Sequence, residues 1–115
     1  MVRHESEVKA IDMSAPGSAG SSMKALVGPE EGWQDHVMRQ VELAPEGSSP
    51  HHSHPWPHIN YVLEGEGVLL MDDQEHPIRA GDAAYVPSGT VHQYRNKGDS
   101  TLKFLCIVPK EGHIL

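Results

Sequence analysis

The stretch "GDAAYVPSGTVHQYRN", residues 81 to 96, alternates turn residues with two short β-favouring runs. Gly81 and the segment Pro87-Ser88-Gly89 mark chain reversals, because glycine tolerates left-handed backbone and proline pre-sets a turn. The runs "AAYVP" and "VHQYRN" have the length and the aromatic and β-branched content of strands. This stretch therefore predicts two short strands joined by a tight corner.

Turn residues recur every eight to twelve positions from residue 23 to the end of the chain. In "HVMRQVEL", residues 36 to 43, Val37, Val41 and Leu43 fall on one side of a period of two, as in a half-buried strand. No window of eleven or more residues has a helical stripe of apolar residues. Many short strands at this spacing predict an all-β barrel or sandwich.

At 115 residues, the chain has the size of one domain. The low-complexity segment "SAPGSAGSS", residues 14 to 22, predicts a flexible link. We therefore expect residues 1 to 22 to be an N-terminal arm and link, and residues 23 to 115 to be a single barrel domain. The arm is expected to pack on the body of the chain or on a second subunit.

The net charge of −7 and the absence of a basic run argue against a nucleic-acid partner. No apolar stretch approaches the roughly 20 residues that span a bilayer, and the N-terminus lacks the apolar region of a secretory signal. The lone cysteine, Cys106, excludes an internal disulfide and a multi-cysteine metal cage. These features predict a soluble cytoplasmic protein with no membrane partner.

The stretch "PHHSHPWPHINYVLEGEG", residues 50 to 67, holds four of the nine histidines of the chain. His54 and His58 have the spacing of the helical zinc-protease motif. However, Pro55 and Pro57 lie between them, and each proline removes an N–H and favours an extended predecessor. The helical motif is therefore excluded.

On an extended chain, His52 and His54 point to the same side, with Cα atoms roughly 6.6–6.8 Å apart. Two imidazoles at that separation can converge on one ion, and His58 begins the next strand, from which it can face the same interior. A fourth ligand must come from elsewhere. The alternatives are unconnected histidines in an exposed loop or an expression tag. The remaining histidines are expected at the surface: His4, His36, His51, His76 and His113.

Residues 81 to 96 read G-x5-P-x-G-x2-H-x3-N, which resembles the second motif of the cupin superfamily, with Gly81, Pro87, Gly89, His92 and Asn96 at its marked positions. Residues 47 to 65 resemble the first cupin motif. They depart from it twice, because four residues rather than five separate Gly47 from His52, and His58 stands where the family has a glutamate.

The resemblance covers roughly residues 23 to 112 and implies a double-stranded β-helix, the cupin or jelly-roll barrel. It is strongest to the small, four-histidine, manganese-type members of the group. It implies a metal ion held by His52, His54, His58 and His92, and commonly a homodimer. Four neutral imidazoles leave the charge of a divalent ion uncompensated, which favours anionic or chelating ligands.

The resemblance favours manganese, with iron next and zinc, nickel or copper possible by ligand chemistry. Strand alternation and the position of the tryptophan nominate residues of a substrate cavity: Trp56, Asn60, Val62, Tyr94, Phe104 and Cys106. We expect a metal-dependent enzyme that acts on a small molecule, in an oxidative reaction of the dioxygenase or peroxide-dependent oxidase type. The alternatives are a metal-dependent isomerase or lyase, and a non-catalytic ligand-binding or sensing protein.

Overall fold

The computed structural model describes residues 1–113 and folds them into nine β-strands of one antiparallel sheet. The strands are β1 (Ile11–Asp12), β2 (Ala19–Val27), β3 (His36–Ser48), β4 (His58–Glu64), β5 (Glu66–Met71), β6 (Gln74–Arg79), β7 (Ala83–Val86), β8 (His92–Arg95) and β9 (Leu102–Pro109). Three single 3-10 turns lie at Glu5–Glu7, Pro29–Glu31 and Lys110–Gly112. Within the described part, no helix has the length and apolar character needed to cross a bilayer.

The strand order is β6-β5-β8-β3-β9-β4-β7, and β2 joins β1 to β3. The 13-residue strand β3 can pair with β2, β8 and β9 because it is long enough to bend around the molecule. The curled sheet has the form of a double-stranded β-helix. The prediction of an all-β cupin barrel is therefore confirmed.

Strand β9 shows why the barrel closes around an apolar interior. Its residues alternate strictly, with Leu102, Phe104, Cys106 and Val108 buried. These side chains pack against the inward-facing side chains of β3. Every second residue of β9 therefore belongs to one packed core.

Gly65, between β4 and β5, occupies a position that only glycine fits. Its φ angle of 83° lies in the left-handed region, and a Cβ there would collide with the carbonyl oxygen of Thr101. Gly81, before β7, also has a positive φ angle, of 95°, but open space surrounds the position of its absent Cβ. The first glycine is thus required by both conformation and space, and the second by conformation alone.

The N-terminal segment packs on the same chain. Arg3 donates a hydrogen bond of 2.8 Å to the carbonyl of Leu26, and Lys24 forms an ion pair of 3.1 Å with Glu5. Strand β2 begins at Ala19, so part of the low-complexity segment is strand rather than link, because it finds backbone partners on β3. The division of the chain at residue 22 stays a prediction.

Candidate metal centre

Four histidines reach one end of the barrel interior from three places in the chain. His52 and His54 lie on the extended segment before β4, His58 is the first residue of β4, and His92 is the first residue of β8. The backbones of His52 and His92 form a two-residue antiparallel bridge, with N–H···O distances of 3.2 and 2.9 Å. This bridge brings the two motifs of the sequence side by side.

The imidazole rings face one another closely. One ring nitrogen from each of His52, His54 and His92 lies within 4.8 Å of the others. His58 adds its Nε2 atom 3.0 Å from Nε2 of His92, with ring centroids 4.7 Å apart. The centroid of His54 lies 5.2 Å from that of His58. The structure therefore brings His52, His54 and His92 into one group, and His58 lies beside this group, next to His54 and His92.

Three of the four imidazole rings form a hydrogen bond through Nδ1, and this bond determines which ring nitrogen carries the proton. The Nδ1–H group of His54 donates to the carbonyl of Trp56 at 2.7 Å, and that of His92 donates to the carbonyl of Thr90 at 2.8 Å. A carbonyl oxygen only accepts, so Nδ1 carries the proton in both rings and Nε2 keeps a lone pair. Such outer partners orient the ligands of metal sites.

Asn60 performs the same role for His58. Its side-chain Nδ2 donates to the carbonyl of Leu105 at 3.2 Å, which fixes the orientation of the amide. Its Oδ1 atom then accepts from Nδ1–H of His58 at 2.9 Å and from the hydroxyl of Tyr94 at 2.5 Å. Burial raises the pKa of Tyr94 well above its usual value, and the nearby Cys106 raises this pKa further. The phenol therefore keeps its proton and remains a hydrogen-bond donor.

The protein environment keeps the histidines neutral. Burial, the first cause in each case, lowers the pKa of His52, His58 and His92 from 6.5 to about 4. It also lowers the pKa of His54. The positive charge of Arg39 adds to this effect at His52, His54 and His58. Neutral imidazoles are the form that binds metal ions.

The donor set fits a metal ion. With both Nδ1 protons committed elsewhere, the Nε2 lone pairs of His58 and His92 face each other at 3.0 Å, which is unfavourable without a positive centre between or beside them. Two nitrogens bound at right angles to one ion at about 2.1 Å would lie about 3.0 Å apart. The described residues can therefore hold a divalent ion without rearranging these two rings.

A cavity of about 510 Å³ opens beside the histidines, within the size range of small-molecule sites. Of the predicted cavity residues, Trp56, Tyr94, Phe104 and Cys106 line it. Trp56 stacks on His54 with ring centroids 4.7 Å apart and planes inclined by 9°.

Asn60 and Val62 do not line this cavity. Strand alternation places both residues inside the barrel, but Asn60 lies behind His58 and Val62 belongs to the packed core. Each of the two side chains is 1% exposed. The inward orientation of Asn60 serves hydrogen bonding and that of Val62 serves core packing, and neither side chain contacts the cavity.

Arg39, on β3, is a cavity residue that the reasoning from sequence missed. Its Nη2 atom lies 3.2 Å from the sulfur of Cys106, which is itself 3.7 Å from Nδ1 of His58. The signal was present in the alternation of β3, since Arg39 shares the parity of Val37 and Val41 and is thus a charged residue on an apolar face.

The expectation for the other histidines holds except at one position. His4, His36, His51 and His76 are exposed. His113 is half-buried rather than superficial, its Nδ1 atom is inaccessible to solvent, and burial lowers its pKa. The sequence gives no periodicity near the C-terminus from which this burial could be inferred.

The chain is similar to several known proteins. The chain resembles the polyketide cyclase RemF from Streptomyces resistomycificus, with 32% identity and a TM-score of 0.87 over 95% of this chain and 79% of the other. It is 36% identical over 73 residues to an oxalate-binding protein from Thermotoga maritima, over 63% of this chain and 60% of that protein.

A dimethylsulfoniopropionate lyase, DddW of Ruegeria pomeroyi, is 35% identical over 65 residues, which are 56% of this chain and 43% of the lyase. The chain thus spans less than two thirds of the length of either of these two curated relatives. The sequence model of the cupin domain matches residues 39–108, which contain all four histidines and more than half of the chain. The chain therefore belongs to the cupin family.

Proposed function

We propose that this chain is a metal-dependent enzyme that acts on a small organic molecule and holds one divalent ion through His52, His54, His58 and His92. The observation that carries the proposal is the facing pair of Nε2 atoms of His58 and His92 at 3.0 Å beside a cavity of about 510 Å³. We further propose that the chain is one of the four-histidine, manganese-type cupins, with His58 in the position of the usual glutamate.

Manganese is the ion that we propose, on the strength of the resemblance, with iron next and zinc, nickel or copper as further candidates. Imidazole nitrogen suits several first-row metals, so affinity alone does not select one. Elemental analysis of protein purified without a histidine tag or chelators tests this point. About one manganese per chain supports the proposal, and absence of any transition metal after loading contradicts it.

The residues around the ligands have separate tasks in binding a substrate. Trp56 covers His54 and shields one side of the site from water. Phe104 supplies an apolar wall, and the neutral phenol of Tyr94 holds Asn60 in place behind His58. A bound divalent ion would supply Lewis acidity and, if it is manganese or iron, access to redox chemistry.

We keep the oxidative reaction as the first proposal for the chemistry and isomerase or lyase chemistry as the second. The second is supported by the thiol of Cys106 inside the cavity, because a cysteine there would be exposed to oxidation during turnover with oxygen or peroxide. It is also supported by similarity to a cyclase and a lyase.

Metal substitution separates the two chemistries. The protein is loaded with manganese, iron or zinc and assayed on a panel of small phenols, keto acids and oxalate, with oxygen consumption and product formation recorded in parallel. Oxygen-dependent turnover with manganese or iron but not with zinc supports the oxidative proposal. Equal turnover with zinc, without oxygen uptake, supports an isomerase or lyase and contradicts the oxidative proposal.

A non-catalytic ligand-binding protein is the other candidate, favoured by the similarity to a protein named for binding oxalate. In that case calorimetry detects binding of oxalate to the metal-loaded protein, while mass spectrometry detects no product after long incubation. Product formation from any compound of the panel rules this candidate out.

We also propose a homodimer that buries the outer face of β4 and β7. Ile59, Tyr61 and Tyr85 are 53%, 47% and 58% exposed, and Ile59 pairs with Tyr85 across the two strands. Apolar patches of this kind mark interfaces. Sedimentation should give a dimer that Tyr61→Lys dissociates, whereas Val91→Lys, at another exposed position, should leave it intact. A wild-type monomer contradicts the proposal.

A further inference from the structure

Arg39 brings a positive charge into the histidine-lined cavity. It lies on β3 opposite Cys106 of β9, at a register position where the two strands pair. Its side chain is partly buried and lines the same cavity as His52, His58 and His92. The guanidinium group therefore points to the interior of the barrel and not to the outer surface.

The guanidinium of this partly buried arginine lacks a strong hydrogen-bond acceptor among the described residues. Its Nε atom is inaccessible to solvent and has no hydrogen-bond acceptor among residues 1–113. No carboxylate in that range forms an ion pair with it within 4.0 Å, and Nη2 reaches only the sulfur of Cys106, a weak acceptor. A buried cation without an acceptor is costly, because desolvation is not offset.

The charge around the cavity favours an anion as the missing partner. Among the described residues that line it, Arg39 carries the one permanent positive charge, and the one acidic residue is Asp12, which is exposed at the rim on β1. The inner part of the cavity thus carries the positive charge of Arg39, and the negative charge of Asp12 lies at the solvent-exposed rim. An ion held by the neutral histidines would increase this contrast.

We propose that Arg39 is the anchor for a carboxylate group of the ligand and that the protein binds small organic carboxylates. The planar fork of the guanidinium matches the two oxygens of a carboxylate and would satisfy the orphaned Nε–H. This inference rests on the proposed function in taking the histidine-lined cavity as the ligand site. It adds the chemical class of the ligand and the residue that selects it.

The test uses calorimetry with malonate and pyruvate as anionic probes and malonamide as a neutral probe of similar shape. The wild-type protein is compared with Arg39→Gln, with Arg39→Lys, and with Arg79→Gln, which removes the same charge from the exposed strand β6. Metal content and thermal unfolding are measured for every variant. These measurements establish whether Arg39→Gln still folds and still binds metal.

We expect the wild-type protein to bind at least one anionic probe and not malonamide. Arg39→Gln should weaken binding of that anion by about tenfold or more, as the loss of a charged hydrogen-bond pair predicts. Arg39→Lys should bind the anion with an affinity between those of the wild type and Arg39→Gln. Arg79→Gln should bind it as tightly as the wild type does. Equal binding by Arg39→Gln, binding of malonamide as tight as that of malonate, or no binding of either anion would overturn the inference.

The two proposals fail in different ways in this experiment. If the protein retains no metal but anion binding still depends on Arg39, the metal-enzyme proposal fails and the anion anchor stands. If metal binds with full stoichiometry but the loss of Arg39 changes no anion affinity, the anchor fails and the metal site stands.

Discussion

Nε2 of His58 lies 3.0 Å from Nε2 of His92, although the two residues are 34 positions apart and their strands are not neighbours in the sheet. Strand β4 pairs with β7 and β9, whereas β8 pairs with β5 and β3. The two nitrogens therefore meet across the barrel interior, and an ion bound to both would join two strands whose backbones do not pair with each other. The site and the closure of the barrel are coupled for this reason.

Replacing Asn60 by alanine should weaken metal binding without removing a ligand. The change takes away the acceptor that fixes Nδ1–H of His58 and the partner of Tyr94. Loss of such outer-shell partners typically lowers metal affinity by about 10–100-fold. Competition with a chromophoric chelator measures the affinity, and Tyr94→Phe serves as the control that keeps the bond from Asn60 to His58. Unchanged affinity in Asn60→Ala would mean that Asn60 does not orient the ligand.

The metal-free protein should lose stability as the pH falls from about 6.5 to about 4. His58 and His92 have pKa values lowered from 6.5 to about 4 in the folded state, mainly by burial. In this window the unfolded chain binds more protons than the folded chain, so the free energy of unfolding decreases as the pH is lowered. Above pH 6.5 these histidines are neutral in both states and cause no pH dependence of stability.

Urea unfolding at a series of pH values measures this slope. His58→Gln should give a shallower slope than the wild type, because one of the titrating groups is gone. A free energy of unfolding that is constant between pH 6.5 and 5 would contradict the assignment of buried, neutral histidines.

The contrast between His58 and Arg39 shows what the sequence can and cannot predict. The period of two in β3 and the two linked motifs predict the barrel and bring His58 and His92 to one site. Arg39 has the right parity in the same strand, but parity does not tell whether a charged side chain finds a carboxylate partner, because that depends on strands distant in sequence. The same limit applies to Asn60, whose inward orientation was predictable but whose three hydrogen bonds come from β4, β8 and β9.

Gly65→Ala should destabilise the fold much more than Gly81→Ala. Both glycines have positive φ angles, so alanine at either position incurs left-handed strain of roughly 1–2 kcal/mol. At Gly65 the new Cβ would also collide with the backbone of Thr101, which β9 holds in place, whereas at Gly81 nothing lies within 4 Å. Thermal unfolding of the two variants isolates the collision. Equal losses would show that the turn at Gly65 can move away from Thr101.

Deleting residues 1 to 12 should expose the cavity and lower the melting temperature. The segment is tied to the body through the ion pair of Glu5 with Lys24 and through β1, whose residues Ile11 and Asp12 line the cavity.

Cys106 is 4% exposed and is the single cysteine of the chain, so its rate of reaction with a thiol reagent reports access to the cavity. The truncated protein should react faster at Cys106 than the full chain does. Glu5→Gln, which removes the partly buried ion pair but leaves β1 in place, should lower the melting temperature less than the truncation does. If the truncated protein melts at the same temperature and its thiol reacts at the same rate, the arm neither stabilises the barrel nor covers its mouth.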